Sequence, residues 1–241
     1  MPQHQNTLTS AKSFARRLMI YLLGMFILAM GVSISIKSSL GVSPVSSIPY
    51  VASLAFQVDQ GVMITAVFSL YVFMQWLLLR KDFRLISLLQ ILCASAFGYF
   101  VNLCNFLLGF LHPQSYGSRL LLMLLSVVFI AWGILFYLAA DLIPHPAEGL
   151  VLAVIQKTGW KLSTAKMGFD CTMVAIAALL SLVTTGTVLG LREGTVIAML
   201  GVGKVLGPLT SLFQERIRMF CFGIAEDSRQ PISPTQESSK V

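Results

Sequence analysis

The sequence predicts an all-α integral membrane protein of six transmembrane helices and two re-entrant half-helices, arranged as a 3+3 inverted-topology repeat. Three observations carry this expectation. Of 241 residues, 56% are hydrophobic and only 11% charged, and the mean hydropathy is +0.81. Soluble domains carry about 25% charged residues, so this chain lacks the polar surface to cover a globule in water. The apolar residues are gathered into runs long enough to cross a hydrocarbon core of roughly 30 Å. Two shorter apolar segments, each opened by proline, stand at equivalent places in the two halves of the chain.

The first run, 18–36, follows a polar stretch that ends in Arg16 and Arg17. A basic flank before an apolar run also marks a signal peptide. This run has spanning length and no A-x-A cleavage site follows it, so it reads as a retained span. Five more runs lie at about 61–79, 86–107, 119–140, 165–184 and 194–213. On this reading 1–17 is a cytoplasmic N-terminal segment, 18–111 the first membrane repeat and 112–213 the second. Residues 214–241 read as a polar cytoplasmic tail, largely disordered and without a packed core beyond Asp227.

Segments 43–57 and 145–158 do not fit a simple count of crossings. At 1.5 Å per residue they cover roughly 21–23 Å, short of the bilayer core. They open with Ser43–Pro44 and His145–Pro146, and proline suits the first position of a helix. Charge decides whether they cross. With both segments re-entrant and both termini cytoplasmic, Arg80, Lys81, Arg84, Lys157, Lys161 and Lys166 join the N-terminal cations on the inside. Only Lys37, Arg119 and Arg192 remain on the far side. Full crossings would move the 80–84 cluster outside, against the positive-inside rule.

The two halves also match at an offset of 102 positions: Gly31 with Gly133, Leu40 with Leu142, Pro44 with Pro146. Three crossings per half place the second half upside down relative to the first. Broken helices in inverted repeats are familiar from secondary transporters and channels. Non-helical backbone survives at membrane depth only when buried in protein or lining a wet cavity, so the half-helices are where a site is expected.

Polar groups at depth supply the candidates. Glu148 lies in the first turn of the second half-helix beside His145, where a carboxylate is favoured by the helix dipole and where the pair could bind a cation or relay protons. A purely structural cap is the plainer reading. Asp170 falls early in its span and has Lys166 as its i−4 neighbour. Asp141 ends a span, at the repeat position of Ser39. Glu193 opens the last span next to Arg192, which could simply neutralise it. Lys204 falls near the bilayer centre, where snorkelling is difficult, and is expected to face an internal polar cavity. Glycines at 194, 201, 203 and 207 suit close helix packing. In the first half Ser43, Ser46, Ser47, Asn102 and Asn105 could face the same interior, although such side chains often bond their own backbone. The half-helix starting at Ser43–Pro44 would aim free N–H groups at an anionic or zwitterionic part of a solute.

Other classes find little support. The net charge of +7 comes from short basic clusters beside apolar runs, which is not the pattern of a nucleic-acid binder. The cysteines (93, 104, 171, 221) have neither CxxC spacing nor histidine partners, so no metal, cofactor or disulfide framework is expected. A Ser43/His145/Asp141 grouping could be imagined as a triad. No nucleophile elbow or HExxH motif accompanies it, and no enzyme activity is expected.

The segments LGVSPVSSIPY (40–50), DLIPHPAEGLVLAVIQKTG (141–159), Phe169–Asp170 and LREGTVIAMLGVGKVLG (191–207) together resemble the YczE/YyaS/YitT-like family of bacterial membrane proteins. The likeness runs from about residue 20 to 213. The chain departs from the family pattern at Arg192–Glu193, where small residues usually precede the Gly194–Thr195 pair. The resemblance implies a multi-pass protein of the bacterial cytoplasmic membrane. It singles out Pro44, Pro146, Glu148, Gly149, Asp170, Glu193, Gly194 and Thr195 as positions of interest. With the half-helices and the charges at depth, the expected function is a transporter or channel for a small solute or ion. The alternative is an accessory membrane protein without transport. Substrate, coupling ion and oligomeric state are not legible.

Overall fold

The computed structural model describes residues 3–222, with side-chain surroundings from Lys12 onward apart from Ser163. It contains eight α-helices and, among the described residues, no strand. They are α1 (Gln3–Ser38), α2 (Pro44–Phe56), α3 (Gln60–Leu79), α4 (Leu89–Leu107), α5 (Tyr116–Ala140), α6 (Pro146–Thr158), α7 (Leu162–Thr185) and α8 (Glu193–Phe222). Six of these are long and apolar enough to cross a membrane; α2 and α6, at 13 residues each, are not.

Two helices run past the apolar runs read from the sequence. Lys12 to Arg17 is the continuation of α1, and α8 runs on past Gln214 to Phe222. The reason is packing between the two ends. Ile217 and Phe222 pack on the core, and Cys221 is fully buried. Ser13 donates to the Cys221 carbonyl at 3.0 Å, and the Arg17 guanidinium sits 4.6 Å from the Phe222 ring centre. The disorder expected beyond Asp227 falls outside the described residues.

Local chemistry sets the breaks. Pro44 and Pro146 take the first position of α2 and α6, where a fixed φ is pre-set for a helix and the missing N–H costs nothing. The same bends recur in both halves at the 102-residue offset. Ser39 (φ 56°) and Asp141 (φ 49°) end α1 and α5 in the left-handed region, and Gln57 (φ 55°) and Gly159 (φ 70°) do so for α2 and α6. Left-handed backbone costs a non-glycine residue roughly 1–2 kcal/mol, so three non-glycine instances at helix ends mark turns held by their surroundings.

The centre of the molecule is an antiparallel pair, α1 against α5. Gly31 lies against Ile130 and Gly133 against Leu28, so close that a Cβ at Gly133 would sit 2.5 Å from the Leu28 nitrogen. The contacts are reciprocal, since Leu28 and Ile130 are also 102 positions apart. Lipid tails are as apolar as leucine, so such backbone approach, rather than escape from water, is what joins helices in a membrane. Around this pair α2 packs on α7, α6 on α3, α4 on α1 and α8 on α5. The outward faces carry Trp76, Phe106, Leu121, Leu179 and Val183, all more than half exposed. A belt of that kind needs an apolar surrounding, and the chain is a multi-pass membrane protein.

Candidate functional site

A cavity of about 360 Å³ lies where the two short helices begin. Ser43, Pro44, Val45 and Ser46 from α2 and His145, Ala147 and Glu148 from α6 line it. Lys166 and Asp170 of α7 form one wall, and Met199, Val202, Gly203 and Leu206 of α8 another. Phe68, Phe97 and Tyr137 close the end beside His145. Neither Ser43 nor His145 caps its helix with its side chain. Two helix N-termini, each with partial positive charge and uncapped N–H groups, therefore border the same space.

Its polar groups fall into three sets. The Tyr137 hydroxyl donates to a carboxylate oxygen of Glu148. Lys166 pairs with Asp170 at 2.5 Å along one turn of α7, with side chains 41% and 12% exposed. This is the structural partnership foreseen for Asp170, but built into the cavity wall. The His145 ring stands edge-on to Phe68 and Phe97, with centroids 4.7 and 5.5 Å away, and lies 6.4 Å from Tyr137. Its Nε2 is buried and has no hydrogen-bond partner. Near α2, the Ser43 hydroxyl donates to that of Ser46 at 3.2 Å.

The structure leaves the other candidates out of the cavity. Lys204 is exposed on the outer side of α8; at 100° per residue it points away from the face carrying Met199, Val202 and Leu206. Depth along the bilayer normal could be read from sequence, but the facing of the residue could not. Glu193 is exposed and pairs with Arg192 at 3.2 Å. Asp141 is exposed at the end of α5, where its backbone carbonyl accepts from Arg17, whose Nε also donates to the Ala140 carbonyl at 2.8 Å. Ser43, His145 and Asp141 therefore form no triad. Asn102 and Asn105 are likewise drawn elsewhere. Asn102 holds Asp59 at 2.5 Å and Asn105 holds Gln60 at 2.8 Å, tying α4 to the start of α3.

Four of the remaining positions serve the backbone. Gly194 donates to the Leu40 carbonyl at 2.8 Å while Val42 donates to the Gly190 carbonyl at 3.1 Å, stitching the 40–44 break to the start of α8. Thr195 is buried against Gly41 in the same seam. Pro146 and Gly149 seat α6 on α3 through Gln75. Its amide donates to the Pro146 carbonyl at 3.1 Å and to Gln90 at 2.9 Å, and its side chain fills the space beside Gly149. Sequence reading missed Gln75, Gln90 and Tyr137. A lone amide or phenol inside an apolar run gives no periodic signal, although two glutamines within spanning runs could have been asked for partners.

Comparison with known proteins places the chain in a family. No solved structure matches the chain. The uncharacterized membrane protein YczE of Bacillus subtilis (strain 168) is 29% identical over 158 residues, covering 65% of this chain and 71% of that protein. The model of DUF6198, a family of unknown function, matches residues 15–211, from the start of α1 far into α8. The chain belongs to that family, a YczE-like family of multi-pass membrane proteins.

Proposed function

We propose that this protein is a transporter of a small solute in the bacterial cytoplasmic membrane, with both termini inside and no covalent chemistry of its own. The observation that carries the reading is one cavity bordered by both short-helix N-termini and by Glu148, His145 and the Lys166–Asp170 pair. Charged groups at membrane depth are costly and are kept where they serve a pathway or a site.

In this reading α2 and α6 are re-entrant half-helices of an inverted repeat. The matching bends at Ser39/Asp141 and Pro44/Pro146 support it, as do the reciprocal glycine contacts of α1 and α5. The halves are not in the same state. In the first, α3 and α4 are zipped backbone to backbone, a Cβ at Gly98 meeting the Gly61 carbonyl oxygen at 2.4 Å. No comparable contact joins α7 to α8 among the described residues. Exchange of these two arrangements would open the cavity alternately to the two sides, as rocking of one repeat against the other does.

The test is a thermal-shift screen of the purified protein against metabolites and ions, with each hit taken to uptake in proteoliposomes. A ligand at a hundredfold excess over Kd stabilises by about 2.7 kcal/mol. A solute that stabilises the wild type but not Glu148→Gln or Asp170→Asn, and that is taken up, is the expected result. Stable variants with no hit and no uptake would move the protein to an accessory role.

A further inference from the structure

The charges around the cavity do not cancel, and the imbalance says what the solute carries. Lys166 is, among the described residues, the one cation lining it, and Asp170 holds that ammonium at 2.5 Å. Among the described residues the ion pairs are Lys157–Asp82, Lys166–Asp170 and Arg192–Glu193, so no cation stands within 4 Å of the Glu148 carboxylate, and Lys166 acts on it only from a distance. Its one side-chain partner is the Tyr137 hydroxyl. The helix dipole of α6 eases a carboxylate at this position but does not neutralise it. A carboxylate removed from water is costly until paired.

The neighbours of Glu148 suit one kind of partner. His145 presents a buried Nε2 that no protein group satisfies. Phe68, Phe97 and Tyr137 surround that ring at 4.7, 5.5 and 6.4 Å. Aromatic faces attract a cation more strongly once it is desolvated. Beyond this end Leu28, Val32, Ile130, Ile134 and Val202 form an apolar stretch of wall, set between the Ser43–Ser46 and Lys166–Asp170 sides. The volume, about 360 Å³, is that of a small drug-like site.

Resting on the transporter reading, we propose that the solute is a protonated amine on an apolar body, its ammonium held at Glu148 and His145 within the Phe68–Phe97–Tyr137 wall. The ammonium donates to the Glu148 carboxylate and to the unpartnered histidine nitrogen, and its hydrocarbon lies against α1, α5 and α8. The Lys166–Asp170 pair remains closed on itself and keeps a second cation from binding there.

Three probes of one shape test this with the purified full chain: phenethylamine, 2-phenylethanol and 3-phenylpropionate, compared by calorimetric titration. The amine is expected to bind at least tenfold more tightly than the alcohol, and the acid to bind more weakly than either. In Glu148→Gln the amine should fall to the affinity of the alcohol, while retained alcohol binding reports an intact cavity. Should that variant fail to fold, the wild-type ranking decides alone. Equal or tighter binding of the acid, an amine preference that survives Glu148→Gln, or binding of none of the three overturns the inference. Proteoliposome flux separates it from the reading beneath it. Amine binding without flux removes transport and keeps the cation site; uptake of an acidic or neutral solute with no amine preference does the reverse.

Discussion

Replacing Gly133 with alanine probes the antiparallel α1–α5 pair on which the rest of the molecule is built. The added Cβ would lie 2.5 Å from the Leu28 nitrogen and 2.7 Å from its Cα and Cβ. Backbone atoms cannot rotate away, so the two central helices must separate by about 1 Å to restore ordinary contact. Overpacking of this sort costs roughly 1–3 kcal/mol. Gly203 of α8 is the internal control, since nothing lies within 4 Å of its would-be Cβ. There alanine removes a flexible residue from a helix and should stabilise by about 0.5–1 kcal/mol. Equilibrium unfolding in mixed detergent–SDS micelles is expected to place Gly133→Ala and its counterpart Gly31→Ala below wild type and Gly203→Ala at or above it. If Gly133→Ala proves as stable as Gly203→Ala, the helices do not meet as described.

Further outcomes follow from the same geometry. Lys166→Met should destabilise more than Asp170→Asn, by up to about 3 kcal/mol. The first strands a carboxylate only 12% exposed, the second frees an ammonium that is 41% exposed, and unfolding of both variants beside the double variant tests the order. Gln75→Leu leaves the buried Gln90 amide unpartnered and removes a second bond to the Pro146 carbonyl, and should cost about 1–3 kcal/mol, read by the same unfolding assay. A reporter fused after Arg84 should be cytoplasmic. An extracellular signal would mean that α2 crosses the membrane and that the halves are not inverted.

Much of the fold could be read from run length and proline placement. The spans near 61–79 and 119–140 appear as α3 and α5 with shifts of a few residues, because a membrane forces long uninterrupted apolar helices. Pro44 and Pro146 mark the starts of α2 and α6 for the same local reason in both halves. The site was legible only in part. Ser43, His145 and Glu148 meet at the cavity because they stand at helix breaks, whereas Asp170 reaches it from within α7, one turn after Lys166. Lys204 and Glu193 do not, because one-dimensional depth says how far a residue lies along a helix and nothing of which side it faces. The aromatic wall could not be anticipated either. Phe68 and Phe97 belong to separate helices and are two of many aromatics in apolar runs, so only three-dimensional packing brings them to His145. The helical continuation of α8 past the last apolar run could not be read because Gln214 to Arg218 is polar, whereas Cys221 and Phe222 dock onto α1 across the whole length of the chain.

The central claim is that the cavity between the short helices is reached from both sides of the membrane in turn. Ser46 lines it, is 6% exposed, and accepts cysteine with little change in volume. The decisive measurement labels Ser46→Cys with a membrane-impermeant thiol reagent, in sealed vesicles of either orientation, after replacing Cys93, Cys104, Cys171 and Cys221. Labelling from both sides, with the ratio shifted by phenethylamine, is the predicted result. Labelling from one side alone, unaffected by any added solute, would contradict the account.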